Sequence, residues 1–216
     1  MILELLYYSC LLISTITATA LWRSLKSRQL FLFVPYLWWV TIQEYGLLIL
    51  TEMNVLTSTG IYYNIYRPVC TTAFAATFYH LSINAPVKKL IGWIFAVYLL
   101  VTFTTFIFIN PITVYNSYLS LASGFTITCC AIFFLFNYFN LDNSEEEKKW
   151  LPVVVISMGM IAFYPVVNIS FAFYKHLLKN SAFVFGTKLY QSIPQLMSVF
   201  MYSCFTYAFY LCKKKN

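Results

Sequence analysis

The sequence predicts an all-α integral membrane protein in which seven transmembrane helices form one bundle, a single domain over residues 1–216. The composition of the chain and the arrangement of its apolar residues both support this fold class. Hydrophobic residues make up 61% of the chain and charged residues only 10%, whereas a soluble domain has about 25% charged residues. The apolar residues also form long segments with short polar joints. Because backbone groups in lipid must bond within the chain, such segments are predicted to be helices.

Seven apolar segments reach the length of about 20 residues that a helix needs to cross the hydrocarbon core. They are residues 1–21, 29–50, 60–83, 88–109, 113–138, 151–174 and 184–211. The joints at 23–28, 84–89, 110–111 and 141–149 interrupt the apolar pattern with polar residues, proline or both. The first segment is predicted to be a membrane helix and not a signal peptide, because its basic residues follow the apolar stretch, whereas a signal peptide has them in front.

The distribution of lysine and arginine predicts the orientation of the bundle. Ten of the fourteen basic residues lie in alternate joints or at the C-terminal end: Arg23, Lys26, Arg28, Lys88, Lys89, Lys148, Lys149, Lys213, Lys214 and Lys215. Because short loops rich in these residues stay in the cytoplasm, the N-terminus is predicted outside and the C-terminus in the cytoplasm. The net charge of +7 agrees with this topology and with contact to an anionic lipid bilayer, so no nucleic-acid partner is needed.

Ionisable side chains inside the apolar segments are the main functional clues, because a charge near the bilayer centre costs about 2.5–3.5 kcal/mol. Glu44, Arg67 and Lys188 belong to the second, third and seventh segments. At a rise of 1.5 Å per residue, all three lie roughly 6–11 Å below the outer surface. Asn168 of the sixth segment lies at a similar depth, with Tyr164 one turn deeper. A polar layer is therefore predicted in the outer half of the bundle.

Helical spacing places these groups on faces that can meet, since residues three, four or seven apart share a face. Pro68, Pro165 and Pro194 lie beside the same layer, and each proline frees a helical carbonyl. Interrupted membrane helices are tolerated where the freed backbone lines a cavity. The sequence thus predicts an outward-facing pocket with these ligand-binding residues: Glu44, Asn64, Arg67, Tyr164, Asn168, Lys188, Gln191 and Gln195. Four tyrosines are predicted at its mouth: Tyr7, Tyr8, Tyr63 and Tyr66.

The same residues also fit a structural role. Glu44 and Arg67 could form an interhelical ion pair that selects one arrangement of the helices. The amide side chains could form interhelical hydrogen bonds worth about 0.6 kcal/mol each. From the sequence, the polar layer is either a pocket or a hydrogen-bonded seam.

The residue pattern favours no enzyme, metal centre or cofactor. The chain has no H-E-x-x-H pattern, and its two histidines, His80 and His176, lie near opposite predicted membrane faces. Its six cysteines lack the spacing of a metal site. A retinal protein would need a carboxylate on the third helix and a lysine near the middle of the seventh, whereas this chain has Arg67, and Lys188 near the outer end.

Two functions fit these features. In the first, the protein is a receptor-like or accessory sensory module that binds a small polar ligand from the outer side and contacts a cytoplasmic or membrane protein partner through its basic loops. In the alternative, Glu44, Arg67 and Lys188 form the coupling site of a small-molecule or proton-coupled transporter. The first is favoured because no inverted repeat is visible and the polar layer fades towards the cytoplasm.

Short motifs add a resemblance to a known group. The stretch Val40-Thr41-Ile42-Gln43-Glu44-Tyr45-Gly46, the pair Tyr63-Asn64 and the polar stripe of the last segment resemble a family of uncharacterised bacterial seven-helix membrane proteins of similar length. That family often has a Thr-x-x-Glu pattern on its second helix, matched by Thr41 and Glu44. It tends to have asparagine on its last helix, where this chain has Gln195. The resemblance implies an inner-membrane location and no particular activity.

Overall fold

The computed structural model describes residues 2–55, 59–82, 84–109, 111–139, 144–173, 183–184 and 187–213, with the backbone alone at 144–148, 183, 184, 187, 188 and 190. The described helices are α1 (Ile2–Ala20), α2 (Trp22–Ser27), α3 (Phe33–Glu52), α4 (Gly60–Leu81), α5 (Ala85–Thr104), α6 (Ser117–Phe139), α7 (Ser144–Ala172) and α8 (Leu189–Leu211). A π-helical turn, Thr105–Ile109, extends α5. Two short strands, β1 (Phe183–Val184) and β2 (Thr187–Lys188), pair antiparallel.

The helical, membrane-compatible fold class predicted from composition is confirmed. Four of the described helices are long and apolar enough to cross a membrane: α1, α5 with its π-helical turn, α6, and the part of α7 from Lys149 to Ala172. Helices α3, α4 and α8 have similar lengths of 20, 22 and 23 residues. They differ in carrying polar residues along one side, among them Glu44, Arg67 and Gln195.

The predicted start of the fifth segment at residue 113 is wrong, because side chains hold residues 111–116 out of the helix. Asn64 of α4 donates hydrogen bonds from Nδ2 to the carbonyls of Ile112 and Val114, at 2.7 Å each. Asn116 then caps α6, since its Oδ1 accepts from the amides of Tyr118 and Leu119 at 3.0 and 3.2 Å. Helix α6 therefore begins at Ser117.

The predicted start of the last segment at residue 184 is also wrong. Phe183 and Val184 pair with Lys188 and Thr187, so two short antiparallel strands precede the helix. Helix α8 begins at Leu189. Lys188 thus precedes the last helix, whereas the sequence predicted it inside that helix. The predicted joint at 23–28 also differs in part, because α2 makes most of it helical.

Six of the helices form a ring in the order α1, α3, α4, α6, α7 and α8, and α5 packs against α4 and α6 from outside. The pairs α7–α8 and α6–α7 share the largest contacts, and α3–α4 shares the smallest contact of the ring. Gly159 lets α7 approach α8 closely, since a Cβ there would lie 2.9 Å from Cβ of Cys204. Such small residues are a common device for close helix packing in membranes.

Hydroxyl pairs join neighbouring helices within the ring. Thr15 of α1 and Thr41 of α3 are 2.8 Å apart through their Oγ1 atoms, and both are buried. Oγ1 of Thr71 on α4 and Oγ of Ser123 on α6 are 2.5 Å apart. Polar side chains inside the ring therefore contribute to helix packing.

One half of the ring is filled by an aromatic core, which we define as Phe33, Tyr36, Phe74, Phe205 and Phe209. All five side chains are buried, and their contacting rings have centroids between 4.5 and 6.5 Å apart. The end of the bundle beyond this core is termed the basic end, and it carries Arg23, Lys26, Arg28, Lys88, Lys89, Lys149 and Lys213. There Arg28 donates from Nη1 to the carbonyl of Lys149 at 3.0 Å.

Candidate functional site

A cavity of about 490 Å³ lies inside the ring, on the side of the aromatic core away from the basic end. Its walls come from α1, α3, α4, α7 and α8 and from the segment before α6. Tyr164 and Tyr202 lie at its floor, where their rings contact Phe74 and Phe205 of the aromatic core. The volume falls within the range of about 300–1,000 Å³ that small-molecule sites occupy.

Five of the eight residues predicted for the pocket line this cavity: Glu44, Arg67, Tyr164, Gln191 and Gln195. The four tyrosines predicted at its mouth also line it. These residues come from five different helices, so the cavity depends on the tertiary arrangement of the ring. Gln195 Oε1 is buried without a hydrogen-bond partner among the described residues.

Arg67 contributes the positive charge of the cavity. Its guanidinium carbon lies 5.8 Å from the ring centroid of Tyr66 and 5.8 Å from that of Phe171. Cation–π contacts at this distance stabilise a desolvated guanidinium. Nε of Arg67 is nevertheless buried without a hydrogen-bond partner. The rings therefore hold the cation in place without using all of its donors.

Glu44 contributes the negative charge and lies among tyrosines. Tyr7 and Tyr8 of α1 line the cavity together with Glu44. Tyr45 of α3 donates from its hydroxyl to the carbonyl of Tyr8 at 3.2 Å, which fixes α1 against α3 at this level. The carboxylate thus lies in a wall made by two packed helices.

Glu44 and Arg67 do not form an ion pair in the part of the chain that the structure describes. The structure therefore does not contain the interhelical ion pair between α3 and α4 that the structural alternative predicts. Both charges instead border the same cavity. A group that enters the cavity can interact with either of them.

Asn64 and Asn168 lie outside the cavity, although the sequence predicted both as ligand-binding residues. Asn64 binds the segment before α6, as described above, and its Oδ1 accepts from the amide of Asn116 at 3.1 Å. Asn168 of α7 donates to the carbonyl of Leu121 on α6 at 3.2 Å. Gly124 makes room for this contact, because a Cβ at that position would collide with the Asn168 amide. Both asparagines connect elements of the bundle.

Lys188 cannot be assigned to the cavity. Its backbone belongs to β2, and its side chain lies outside the described part of the structure. Of the three charges predicted to cluster, the structure describes the side chains of two, Glu44 and Arg67, and both line the cavity.

Several cavity residues were missed by the sequence prediction. Phe163, Val167 and Phe171 of α7 and Tyr115 before α6 all line the cavity. The chain contains 18 tyrosines and 21 phenylalanines, so an aromatic residue by itself does not mark a site. Their proximity to Arg67 becomes visible only when α4 and α7 are placed in the ring.

A second, apolar groove of about 270 Å³ lies on the outer surface between α3 and α4. Gln43 lines this groove, whereas its neighbour Glu44 lines the cavity. The two residues point to different sides of α3 because successive helical residues are about 100° apart. Gln43 thus provides a matched reference position for Glu44.

The described residues contain no group of three or more His, Cys, Asp or Glu side chains placed to hold a metal ion. The six cysteines are free thiols. What the cavity offers is one carboxylate, one guanidinium, two glutamine side chains and a wall of aromatic rings. Comparison with known proteins found no matching family model, no matching curated protein and no matching solved structure.

Proposed function

We propose that this protein is a receptor-like or accessory sensory module of the cell inner membrane, whose cavity binds a small polar ligand from the outer side. The observation that supports this proposal most is the cavity of about 490 Å³ with Arg67 and Glu44 on different helices and no ion pair between them. Charged side chains inside a membrane bundle are costly unless they are paired. A ligand with complementary groups offsets that cost. In this proposal the protein binds its ligand and is not an enzyme.

The proposal includes seven membrane spans, with α3, α4 and α8 crossing beside the four more apolar helices. Each of these three helices contributes polar residues to the cavity and exposes large apolar side chains on its other side. The exposed side chains include Ile42, Ile49, Ile65, Val69, Leu196 and Phe200. A continuous apolar surface of this kind suits contact with lipid and not with water.

The proposed orientation has the N-terminus outside and the C-terminus in the cytoplasm. It is supported by the basic end, because lysine and arginine in short loops favour the cytoplasmic side. The cavity then opens outward, and the basic end is the surface that we propose for a cytoplasmic or membrane protein partner. The inner-membrane location rests on the resemblance to bacterial seven-helix membrane proteins, through Thr41 with Glu44 and Tyr63 with Asn64.

The aromatic core supports binding over transport. Phe33, Phe74, Phe205 and Phe209 are all at most 2% exposed, and they fill the ring directly below the cavity. A transporter needs a path from the site to both membrane faces. Opening such a path here would require four packed rings to separate. The alternative transporter function, through Glu44, Arg67 and Lys188, is therefore less supported than a one-sided site.

A pair of serine variants on α8 tests the proposed pocket. Ser198 lines the cavity, whereas Ser203 is exposed on the outside of the same helix. We expect Ser198→Phe to fill the cavity and abolish any thermal stabilisation by small polar solutes, and Ser203→Phe to retain it. The measurement is the unfolding temperature of the purified protein against a panel of amino acids, organic acids, amines, sugars and salts.

Two results would contradict the proposal. Equal stabilisation of the Ser198→Phe and Ser203→Phe proteins would show that solutes bind outside the cavity. Uptake of a stabilising solute into proteoliposomes, dependent on Glu44 and Arg67, would favour the transporter. The orientation is tested separately. A single cysteine is introduced near one terminus of a variant whose six native cysteines are replaced, and intact cells that contain this variant are treated with a membrane-impermeant thiol reagent.

A further inference from the structure

Arg67 has a buried hydrogen-bond donor, Nε, without an acceptor among the described residues. A guanidinium group has five N–H donors in a planar fork, and the fork matches the two oxygens of a carboxylate. Tyr66 and Phe171 restrain the group through their ring faces, each 5.8 Å away. Nε remains buried without an acceptor. The environment orients Arg67 for an anionic partner and supplies none among the described residues that contact it.

Glu44 presents the opposite charge in surroundings that suit a cation. Tyr7, Tyr8 and Tyr63 line the cavity with it, and the rings of Tyr7 and Tyr8 have centroids 4.9 Å apart. Aromatic faces beside a carboxylate attract ammonium groups, including those that carry methyl groups and donate few hydrogen bonds. The Glu44 side of the cavity therefore favours a cationic group.

The two charges lie on α3 and α4, which are neighbours in the ring, and they border a single cavity without pairing. A simple anion would satisfy Arg67 and leave Glu44 without a counter-charge. A simple cation would do the reverse. Since an unsatisfied charged group in a low-dielectric site is penalised, the best occupant carries both charges and has no net charge.

We propose, on the basis of the proposed function, that the cavity binds a small zwitterion whose carboxylate lies at Arg67 and whose ammonium group lies at Glu44. The aromatic walls, among them Tyr115 and Phe163, favour an apolar body or methylated nitrogen between the two charged groups. Free amino acids and betaines belong to this class. A phosphate-and-ammonium lipid headgroup shares part of the chemistry and is separated from them by the experiment below.

The test compares each zwitterion with its two halves on the wild-type protein in detergent. Phenylalanine is matched with phenylpropanoate, which lacks the amine, and with phenethylamine, which lacks the carboxylate. Two further sets are tested. One compares leucine with its deaminated and decarboxylated forms, and the other compares glycine betaine with acetate and tetramethylammonium. We expect at least one zwitterion to raise the unfolding temperature and to bind at least about tenfold more tightly than either half.

Two variants assign the charged groups. In Arg67→Met, we expect the zwitterion to bind no better than its amine half, whereas in Glu44→Gln it should bind no better than its carboxylate half. Gln43→Leu, on the groove side of α3, should retain the full preference. A merely structural role of either residue would weaken all three ligands equally. If a variant does not fold, the comparison on the wild-type protein still decides the question.

The outcomes separate this inference from the proposed function. One outcome is saturable binding of an anion, amine or sugar whose affinity does not increase when a second charge is added. If Ser198→Phe abolishes that binding, the zwitterion inference is refuted and the proposed pocket is retained. If no solute in either panel stabilises the protein, both the zwitterion inference and the proposed ligand-binding function are refuted. Stabilisation seen only in nanodiscs that contain phosphatidylethanolamine assigns the cavity to a lipid headgroup and also overturns the inference.

Discussion

Gly60 gives the sharpest test of how the cavity wall is built. It begins α4 and lies against the segment before α6. A Cβ at this position would lie 2.7 Å from both the Thr113 carbonyl oxygen and the Tyr115 amide nitrogen. These are backbone atoms, so no side-chain rotation relieves the contact. Moving them to an ordinary distance of 3.4 Å requires a shift of about 0.7 Å.

Such a shift also weakens the hydrogen bonds that Asn64 makes to the same segment. Both carbonyl contacts are 2.7 Å long, and a displacement of this size brings them to the edge of hydrogen-bonding range. Overpacking costs about 1–3 kcal/mol, and each weakened interhelical hydrogen bond costs about 0.6 kcal/mol. We therefore expect Gly60→Ala to lower the free energy of unfolding by about 2–4 kcal/mol.

Gly46→Ala is the matched control, because a Cβ at Gly46 meets no atom within 4 Å. Alanine is the better helix former, so this variant should be neutral or more stable by up to about 1 kcal/mol. Unfolding of both variants is followed by circular dichroism in the same detergent, against temperature and denaturant. If Gly60→Ala were as stable as Gly46→Ala, residues 113–115 would not lie against α4 as described.

Three further predictions concern the elements that position the cavity. Asn64→Ala removes three hydrogen bonds and should cost about 2 kcal/mol, whereas Asn168→Ala removes one and should cost about 0.6 kcal/mol; equal unfolding temperatures would contradict this order. Asn116→Ala removes the α6 cap and should cost about 0.5–2 kcal/mol, and an amide-exchange rate at Leu119 that does not increase would show that the cap is dispensable. Phe205→Ala should cost about 3–5 kcal/mol because the side chain is 0% exposed, with Phe200→Ala, 48% exposed on the same helix, as the control that should change little.

The depth of the polar residues could be predicted from the sequence, but their direction could not. Asn64 and Arg67 are three residues apart and lie on the same side of α4. They differ by about 60° around the helix axis, which is enough for Asn64 to reach the segment before α6 while Arg67 borders the cavity. On α7, Tyr164 faces the cavity, whereas Asn168 faces Gly124 of α6.

Helix boundaries that depend on contacts with distant parts of the chain also could not be predicted from the sequence. Residues 113–116 were assigned to the predicted fifth segment, and Asn64, about fifty positions earlier in the chain, contributes to keeping them outside α6 through hydrogen bonds to their backbone. The strands at 183–184 and 187–188 likewise oppose a local apolar pattern that predicts helix. In both cases most of the residues are weak helix formers, and hydrogen bonds to the backbone fix the non-helical conformation.

The sequence by itself predicted a helical, membrane-compatible fold class, and four of the described helices are long and apolar enough to cross a membrane. Long apolar segments require internally bonded backbone, so helices follow from composition alone, and the tyrosines and charges in those helices are visible as costly exceptions. The tertiary structure decided which of these polar and charged side chains line the same cavity. Whether Glu44 and Arg67 pair with each other or border one cavity depends on the order of six helices in a ring and on side-chain directions across α3 and α4. Those directions follow from packing between segments far apart in the chain, and a local sequence pattern does not contain information about that packing.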